Sequence, residues 1–415
     1  MDPATYFDHL NTLAVHAGRE DLTEMGVHAL PIDLSTTYPV IDAVDAADDL
    51  DSWTRGEQQS GRNPIYARLF NPTVGRFEQA MAQLERTEAA VAFATGMGAL
   101  TAVLLALPVD QRHVIGVRPL YGTTDHLLDS GLLGVDVTYV DAGGIAQALR
   151  PDTGLVIVET PQNPTVTLID IADVVRQAGG VPVMVDNTFA TPVLQQPISH
   201  GACMVLHSAT KAIGGHGDAM GGVVACSEEW AARLRQVRVA TGALLHPMGA
   251  YQLHRGLATM PVRVRAMQDG AAFLAERLAA HDMVERVYYP GLAGCDPLGV
   301  VGRQMRGTGT ILSFELAGGM RAVRTMLGSV RLATHAVSLG SVDTLIQHPA
   351  SLTHRIMDAD DREGCGISEG LVRMSVGLED PADLWADLLQ ALEAAQFTTE
   401  RAGHSASLER ATMSD

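Results

Sequence analysis

His207-Ser208-Ala209-Thr210-Lys211-Ala212-Ile213-Gly214-Gly215-His216-Gly217-Asp218 contains the only lysine of a 415-residue chain, in which 28 of the 29 basic side chains are arginine. Arginine replaces lysine wherever only a positive charge is wanted. It cannot replace a primary amine that must lose a proton and attack a carbonyl, because the guanidinium stays protonated. Lysine is the residue that forms Schiff bases with carbonyl compounds. A leftover surface lysine is the bland alternative, and the hydroxyls and glycines on either side argue against it.

On both sides of this stretch, strands and helices alternate. Segments 90–94, 113–117, 135–140, 155–159, 181–185, 204–207 and 222–226 are short, apolar and mostly rich in valine. Helical patterns lie between several of them, at 123–130 and 171–178. This alternation predicts a largely parallel sheet covered on both faces. Ligands of such sheets bind beyond the carboxyl ends of the strands. Asn71-Pro72-Thr73 opens an earlier helix, with Pro72 suited to its first position and Thr73 as the cap. After Pro247 the pattern changes to long helices at 248–257 and 262–280. Strands near 309–316 and 373–376 and helices near 320–328 and 382–395 complete a second, smaller α+β domain. Residues 1–65 read as a polar arm with little core of its own, lying on another part of the protein or on a second subunit. The tail 398–415 is polar and aperiodic, and is expected to be disordered.

Composition narrows the function. The formal net charge is -19, with 47% hydrophobic and 19% charged residues. No stretch concentrates arginine, so nucleic acid and anionic membrane are poor partners. No run reaches the roughly 18 apolar residues of a membrane span. The N-terminus lacks the basic and apolar regions of a secretory signal. Cys203, Cys226, Cys295 and Cys365 have neither metal nor disulfide spacing, which points to reduced thiols and the cytoplasm. The histidines lack the spacing of helical zinc pairs, so no metal site is expected.

Three further features bear on chemistry. Gly96-Met97-Gly98 sits between a strand and a helix, where backbone amides can bind a phosphate. It fails the dinucleotide fingerprint, because Thr101 stands at the third glycine position. Asp186 ends a strand, where it either meets a ligand or caps the next segment. Ser208 and Lys211 match the spacing of a serine–lysine acylation motif, but the companion Lys-Thr-Gly cannot exist in a chain with one lysine.

Eight motifs in order carry a resemblance over about residues 13–395: YARLFNPT (66–73), TGMGA (95–99), LYGTT (120–124), ETPQNP (159–164), VDNTF (185–189), SATKAIGGHG (208–217), SLGSVDTLIQHPAS (338–351) and LVRMSVG (371–377). The chain resembles the cystathionine/methionine-metabolism family of pyridoxal-phosphate enzymes, fold type I. The resemblance implies a mostly parallel seven-stranded sheet with helices on both faces, plus a smaller C-terminal domain. It implies an arm at 1–65 contacting the neighbouring subunit, a cofactor-binding domain at 66–258 and a C-terminal domain at 259–397.

The implied roles follow the chemistry. Lys211 would hold pyridoxal 5'-phosphate covalently and move protons. Asp186 would keep the pyridine nitrogen protonated. Tyr121 would stack on the ring and act as an acid toward the leaving group. Gly96, Met97, Ser208 and Thr210 would hold the phosphate. Tyr66 and Arg68 would reach the phosphate of the neighbouring subunit, in a homotetramer built from two catalytic dimers. Arg373 would grip the α-carboxylate of an amino-acid substrate, with Asn163 and Ser338 placing ring and substrate.

Members of the family differ in outcome: γ-elimination, γ-replacement by a thiol, or cleavage at the β-carbon. Gln347-His348 is similar to methionine γ-lyases, whereas cystathionine γ-lyases typically carry Glu-Leu there. Thr123 stands where those lyases usually have cysteine, and Arg238-Val239 where they carry Lys-Asp, so the substrate pocket is expected to be altered at both places. Elimination from a sulfur amino acid is the first expectation and replacement the second. A non-catalytic binding protein on the same fold is the rival from another class, and the intact Lys211, Asp186, Tyr121 and Arg373 argue against it.

Overall fold

The computed structural model describes residues 9–58 and 61–412, the stretch 400–412 by its backbone only. Seven strands form the larger sheet: β1 (Ala89–Phe93), β2 (His113–Val117), β3 (Asp136–Val140), β4 (Thr153–Glu159), β5 (Val183–Asp186), β6 (Met204–Ser208) and β7 (Gly222–Cys226). Their order is β1-β7-β6-β5-β4-β2-β3. The pairings from β3 through β2, β4 and β5 to β6 are parallel, and β7 runs antiparallel to both its neighbours. Alternation along a strand sends successive side chains to opposite faces. On β5, Val183 and Val185 enter one apolar core while Met184 enters another. Both faces are therefore covered, which is why these strands read as near-continuous apolar runs.

The second sheet contains β8 (Val284–Tyr288), β9 (Ile311–Leu316), β10 (Thr334–His335), β11 (Leu345–Gln347) and β12 (Leu371–Ser375), in the order β10-β11-β12-β9-β8. The helix Met260–Ala279 joins the two halves. Its Met260 and Val264 pack in the core of the large domain, and its Ala271, Leu274 and Leu278 in that of the small one.

Several local expectations change. The cap of the helix Pro72–Glu85 is Asn71, whose side chain accepts from the amides of Thr73 and Val74, while the Thr73 hydroxyl accepts from Asp33 N at 2.8 Å. The arm contains two helices, Leu10–His16 and Ala43–Thr54. It is also partly anchored to its own chain: Ala14 and Ala17 enter the large core, and Trp53 stacks on Phe70 with ring centroids 4.9 Å apart. The last helix runs Pro381–Thr412, past the expected end at 395 and through most of the tail read as disordered. No proline follows Pro381, and good helix formers recur to its end, so propensity favours continuation. Residues 413–415 lie outside the described residues. No helix among the described residues is long and apolar enough to cross a membrane.

Candidate active site

The carboxyl ends of the parallel strands open onto one cavity of about 380 Å³. Tyr121 follows β2, Glu159 ends β4, Asp186 ends β5 and Ser208 ends β6, with Lys211 in the turn beyond. The small domain closes the cavity with Ser338 and with Arg373 from β12. Ten of the residues singled out in the sequence line it together: Gly96, Met97, Tyr121, Asn163, Asp186, Ser208, Thr210, Lys211, Ser338 and Arg373.

One end of the cavity is built for an anion. The helix Gly96–Leu105 starts there, capped by Thr95, whose hydroxyl accepts from Gly98 N at 2.9 Å. The first amides of a helix carry partial positive charge and lack partners within the helix. A Cβ on Gly96 would stand 2.9 Å from the Cβ of Ser208, so only glycine lets the helix start approach β6 this closely. Thr210 is engaged elsewhere: its Oγ1 accepts from Gly221 N at 3.0 Å and donates to Gly221 O at 3.2 Å. It shapes the turn that carries Lys211, and would have to redirect its proton to bind a phosphate.

Lys211 Nζ donates to Ser338 Oγ at 2.6 Å. Burial and then the nearby Arg373 pull its pKa down to about 8, so an appreciable share is neutral near physiological pH. Ser338 has φ of 92°, a left-handed conformation that non-glycine residues rarely adopt. Its carbonyl accepts from Arg373 Nη2 at 2.9 Å, and Arg373 Nη1 donates to Asn163 Oδ1 at 2.8 Å. With its oxygen turned inward, the Gln347 amide accepts from Arg373 Nη2 at 2.7 Å and from Thr353 Oγ1 at 3.2 Å. Burial lowers the Arg373 pKa to about 10, and the guanidinium remains charged.

Asp186 Oδ1 accepts from both the hydroxyl of Thr188, at 2.5 Å, and its amide, at 3.0 Å. Burial raises its pKa against those two bonds. A carboxylate in this position stays ionised most readily beside a cation.

Four expected contributors lie outside this cavity. Tyr66 and Arg68 do not line this cavity; both are exposed, and Arg68 Nη1 donates to Val239 O of its own chain at 2.8 Å. Arg238 does not line this cavity either. It is buried against β1, paired with Glu78 and donating to Ala92 O at 3.1 Å. Its side chain therefore serves the core of its own chain. Thr123 is likewise absent from the lining, whereas Thr124 is present.

Sequence reasoning did not single out Glu159, Thr188, Phe189, Val337 or Thr353, all of which line the cavity. The signal for Glu159 was available, since it opens the ETPQNP motif at the carboxyl end of a predicted strand.

The cavity suits pyridoxal phosphate on three counts: an anion cradle at a helix start that a Cβ would fill, a buried carboxylate ending β5, and a single amine of depressed pKa. A family model described as Cys/Met metabolism PLP-dependent enzyme matches residues 11–393. The L-methionine gamma-lyase of Brevibacterium sandarakinum is 57% identical over 390 residues, covering 94% of this chain and 98% of that one. That of Streptomyces avermitilis is 56% identical over 384 residues, covering 92% and 89%. Among solved structures, a cystathionine gamma synthase from Xanthomonas oryzae pv. oryzae superposes with a TM-score of 0.86 at 36% identity, covering 94% of this chain and 99% of that one. With its one lysine at the centre of such a cavity and the family pattern matched along nearly its whole length, the chain belongs to the Cys/Met metabolism PLP-dependent enzymes.

Proposed function

We propose that the protein is a carbon–sulfur lyase that eliminates the γ-substituent of L-methionine, releasing 2-oxobutyrate, ammonia and methanethiol. The observation that carries this reading is the convergence of Lys211, Asp186 and Arg373 on one cavity in a chain 57% identical to a methionine γ-lyase. When bound, the cofactor supplies an electron-withdrawing ring that delocalises the electrons left on the substrate carbons. One water is consumed in freeing the oxo acid and ammonia, and the binding and proton movements fall to the chain's own side chains.

Arg373 binds the substrate α-carboxylate through its planar fork. Asn163, Ser338 and Gln347 hold that fork in place from three directions. Lys211, once its amine is free, removes the proton at Cα and then one at Cβ. Its lowered pKa matches this work, because a base is most useful when its pKa lies near the working pH. Tyr121 stands on the cavity wall and donates a proton to the departing sulfur. Asp186 would pair with the ring nitrogen of the bound cofactor, and Thr188 fixes the carboxyl group's orientation. Gly96, Met97 and Ser208 would hold the phosphate, joined by Thr210 once its proton is redirected. In this reading Tyr66 and Arg68, exposed on their own chain, complete the phosphate site of a second copy within a homotetramer of two catalytic dimers in the cytoplasm. The arm 1–65 then serves the neighbouring subunit, with 66–258 as the cofactor domain and 259–397 as the small domain.

The deciding experiment compares methionine alone with O-acylhomoserine plus a thiol. Methionine should give 2-oxobutyrate without any added nucleophile. Much faster turnover of O-acylhomoserine with the thiol would replace the lyase reading with a γ-replacement transferase.

A further inference from the structure

Glu159 is a carboxyl group at the floor of the cavity to which the mechanism above gives no work. It is 5% exposed. Its Oε2 accepts from Tyr121 N at 2.8 Å, and the backbone amide of Asn163 lies near enough to favour its ionised form. It ends β4, and its register partner on the neighbouring parallel strand is Asp186. Two acidic residues thus stand side by side on adjacent strands, both lining the cavity that Arg373 closes from above.

We propose that Glu159 is a positioning residue of the reaction: it fixes Tyr121 and Asn163 through their amides, and it is the counter-charge of Arg373 that takes up a proton when a substrate carboxylate arrives. The inference rests on the site assigned under the proposed function.

Two observations fit this arrangement. Tyr121 and Asn163 lie on separate loops, after β2 and β4, and one carboxyl group bonds the first and faces the amide of the second. Asn163 in turn holds Arg373, so Glu159 stands behind both the acid and the carboxylate grip. Charge supplies the second part. Glu159 is pushed well above the ordinary carboxylate range by burial and by Asp186, while the two amides and Arg373 pull it back. When an incoming carboxylate neutralises Arg373, that last pull weakens and the proton is held more tightly. The other titratable groups facing this region are Asp186 from β5, Lys211 beyond β6, Tyr121 after β2, and His354 after β11. The His354 pKa is held down to about 4 by burial and by Arg373, so it stays neutral near pH 7.

The test uses the holoenzyme and methionine lacking its amino group, a carboxylate that binds without reacting. Calorimetric titration in two buffers of different ionisation enthalpy, between about pH 6 and 9, counts the protons taken up on binding. The wild type should take up a fraction of a proton. Glu159→Gln, which keeps an amide acceptor but no charge, should abolish the uptake. At the alkaline end it should also bind the carboxylate about tenfold tighter, the equivalent of one pK unit of charge interaction. Glu159→Ala should lower kcat for methionine further than Glu159→Gln does, because only the alanine variant frees both loops. Absence of uptake in the wild type, or no binding of the carboxylate, overturns the proposal without any variant. Uptake undiminished in Glu159→Gln overturns it by assigning the proton to Asp186 or another group. Formation of 2-oxobutyrate from methionine by the same wild-type preparation tests the lyase reading separately.

Discussion

The single lysine allows its ionisation to be followed in isolation. Lys211 has a pKa of about 8 against an ordinary 10.5. At pH 7 about one amine in ten is then neutral, against about one in 3,000 for an ordinary lysine, a difference of about 300-fold. The sign is fixed by the cause: burial penalises the ammonium form, so the neutral amine dominates above about pH 8. The assay uses apoenzyme and a small amine-directed reagent, with the Lys211 peptide followed by mass spectrometry. The α-amino group falls on a different peptide and does not interfere. The labelling rate should rise about tenfold per pH unit below the midpoint and level off above about 8 in the folded protein. The same chain unfolded in urea should show its midpoint above 10. Burial slows access of the reagent, so the midpoint rather than the absolute rate is the readout. Arg373→Met should move the folded midpoint upward yet leave it below the ordinary value, since Arg373 is the second cause of the shift and burial the first. A folded midpoint near 10 would refute the reasoning, because Lys211 would then be too protonated to act as a base at neutral pH.

Tyr121→Phe should lower kcat for methionine by about 10²-fold or more while cofactor affinity changes little, since the ring remains and the acid is lost; equal losses in both would contradict the acid role. Mixed subunits of inactive Arg68→Ala and inactive Lys211→Ala should regain activity, because one hybrid site has both native residues; subunit exchange with no recovery would place Arg68 in its own chain's site. Arg238→Met should destabilise the fold by about 3–5 kcal/mol, seen as a lower urea midpoint, because Glu78 is left buried and charged. Much of that loss should return in Glu78→Leu/Arg238→Met, and an unchanged midpoint in the single variant would show that the pair is not part of the core.

Where the sequence was legible, one physical period dominated. β7 and the helix Ile171–Ala178 fall where their apolar patterns place them, and β2 lies on a valine-rich run flanked by turns. Among the elements that escaped, two have mixed patterns. β8, Val284–Tyr288, is an edge strand in which Glu285 and Arg286 interrupt the alternation. The helix Glu228–Thr241 has arginines on its buried side, where Arg235 and Arg238 are paired with Glu228 and Glu78. Charge there marks the interior, opposite to the usual rule. Thr73 and Asn71 both fit a capping role by residue type, and only the backbone at Asn71 shows which one caps. In the candidate site, motifs sufficed for residues that carry the chemistry, such as Lys211 and Arg373. They could not reveal that Glu159 stands beside Asp186, because register between β4 and β5 is a tertiary fact. Nor could they show that the Thr210 hydroxyl is held by Gly221, or that Ser338 touches Lys211 across 127 residues of sequence.

The account turns on one amine holding the cofactor, and borohydride reduction of the holoenzyme tests that claim most directly. Reduction followed by proteolysis and mass mapping should place all of the bound cofactor on the peptide containing Lys211, with loss of the ability to release 2-oxobutyrate from methionine. Cofactor fixed to any other peptide, or full activity after complete reduction, would contradict it.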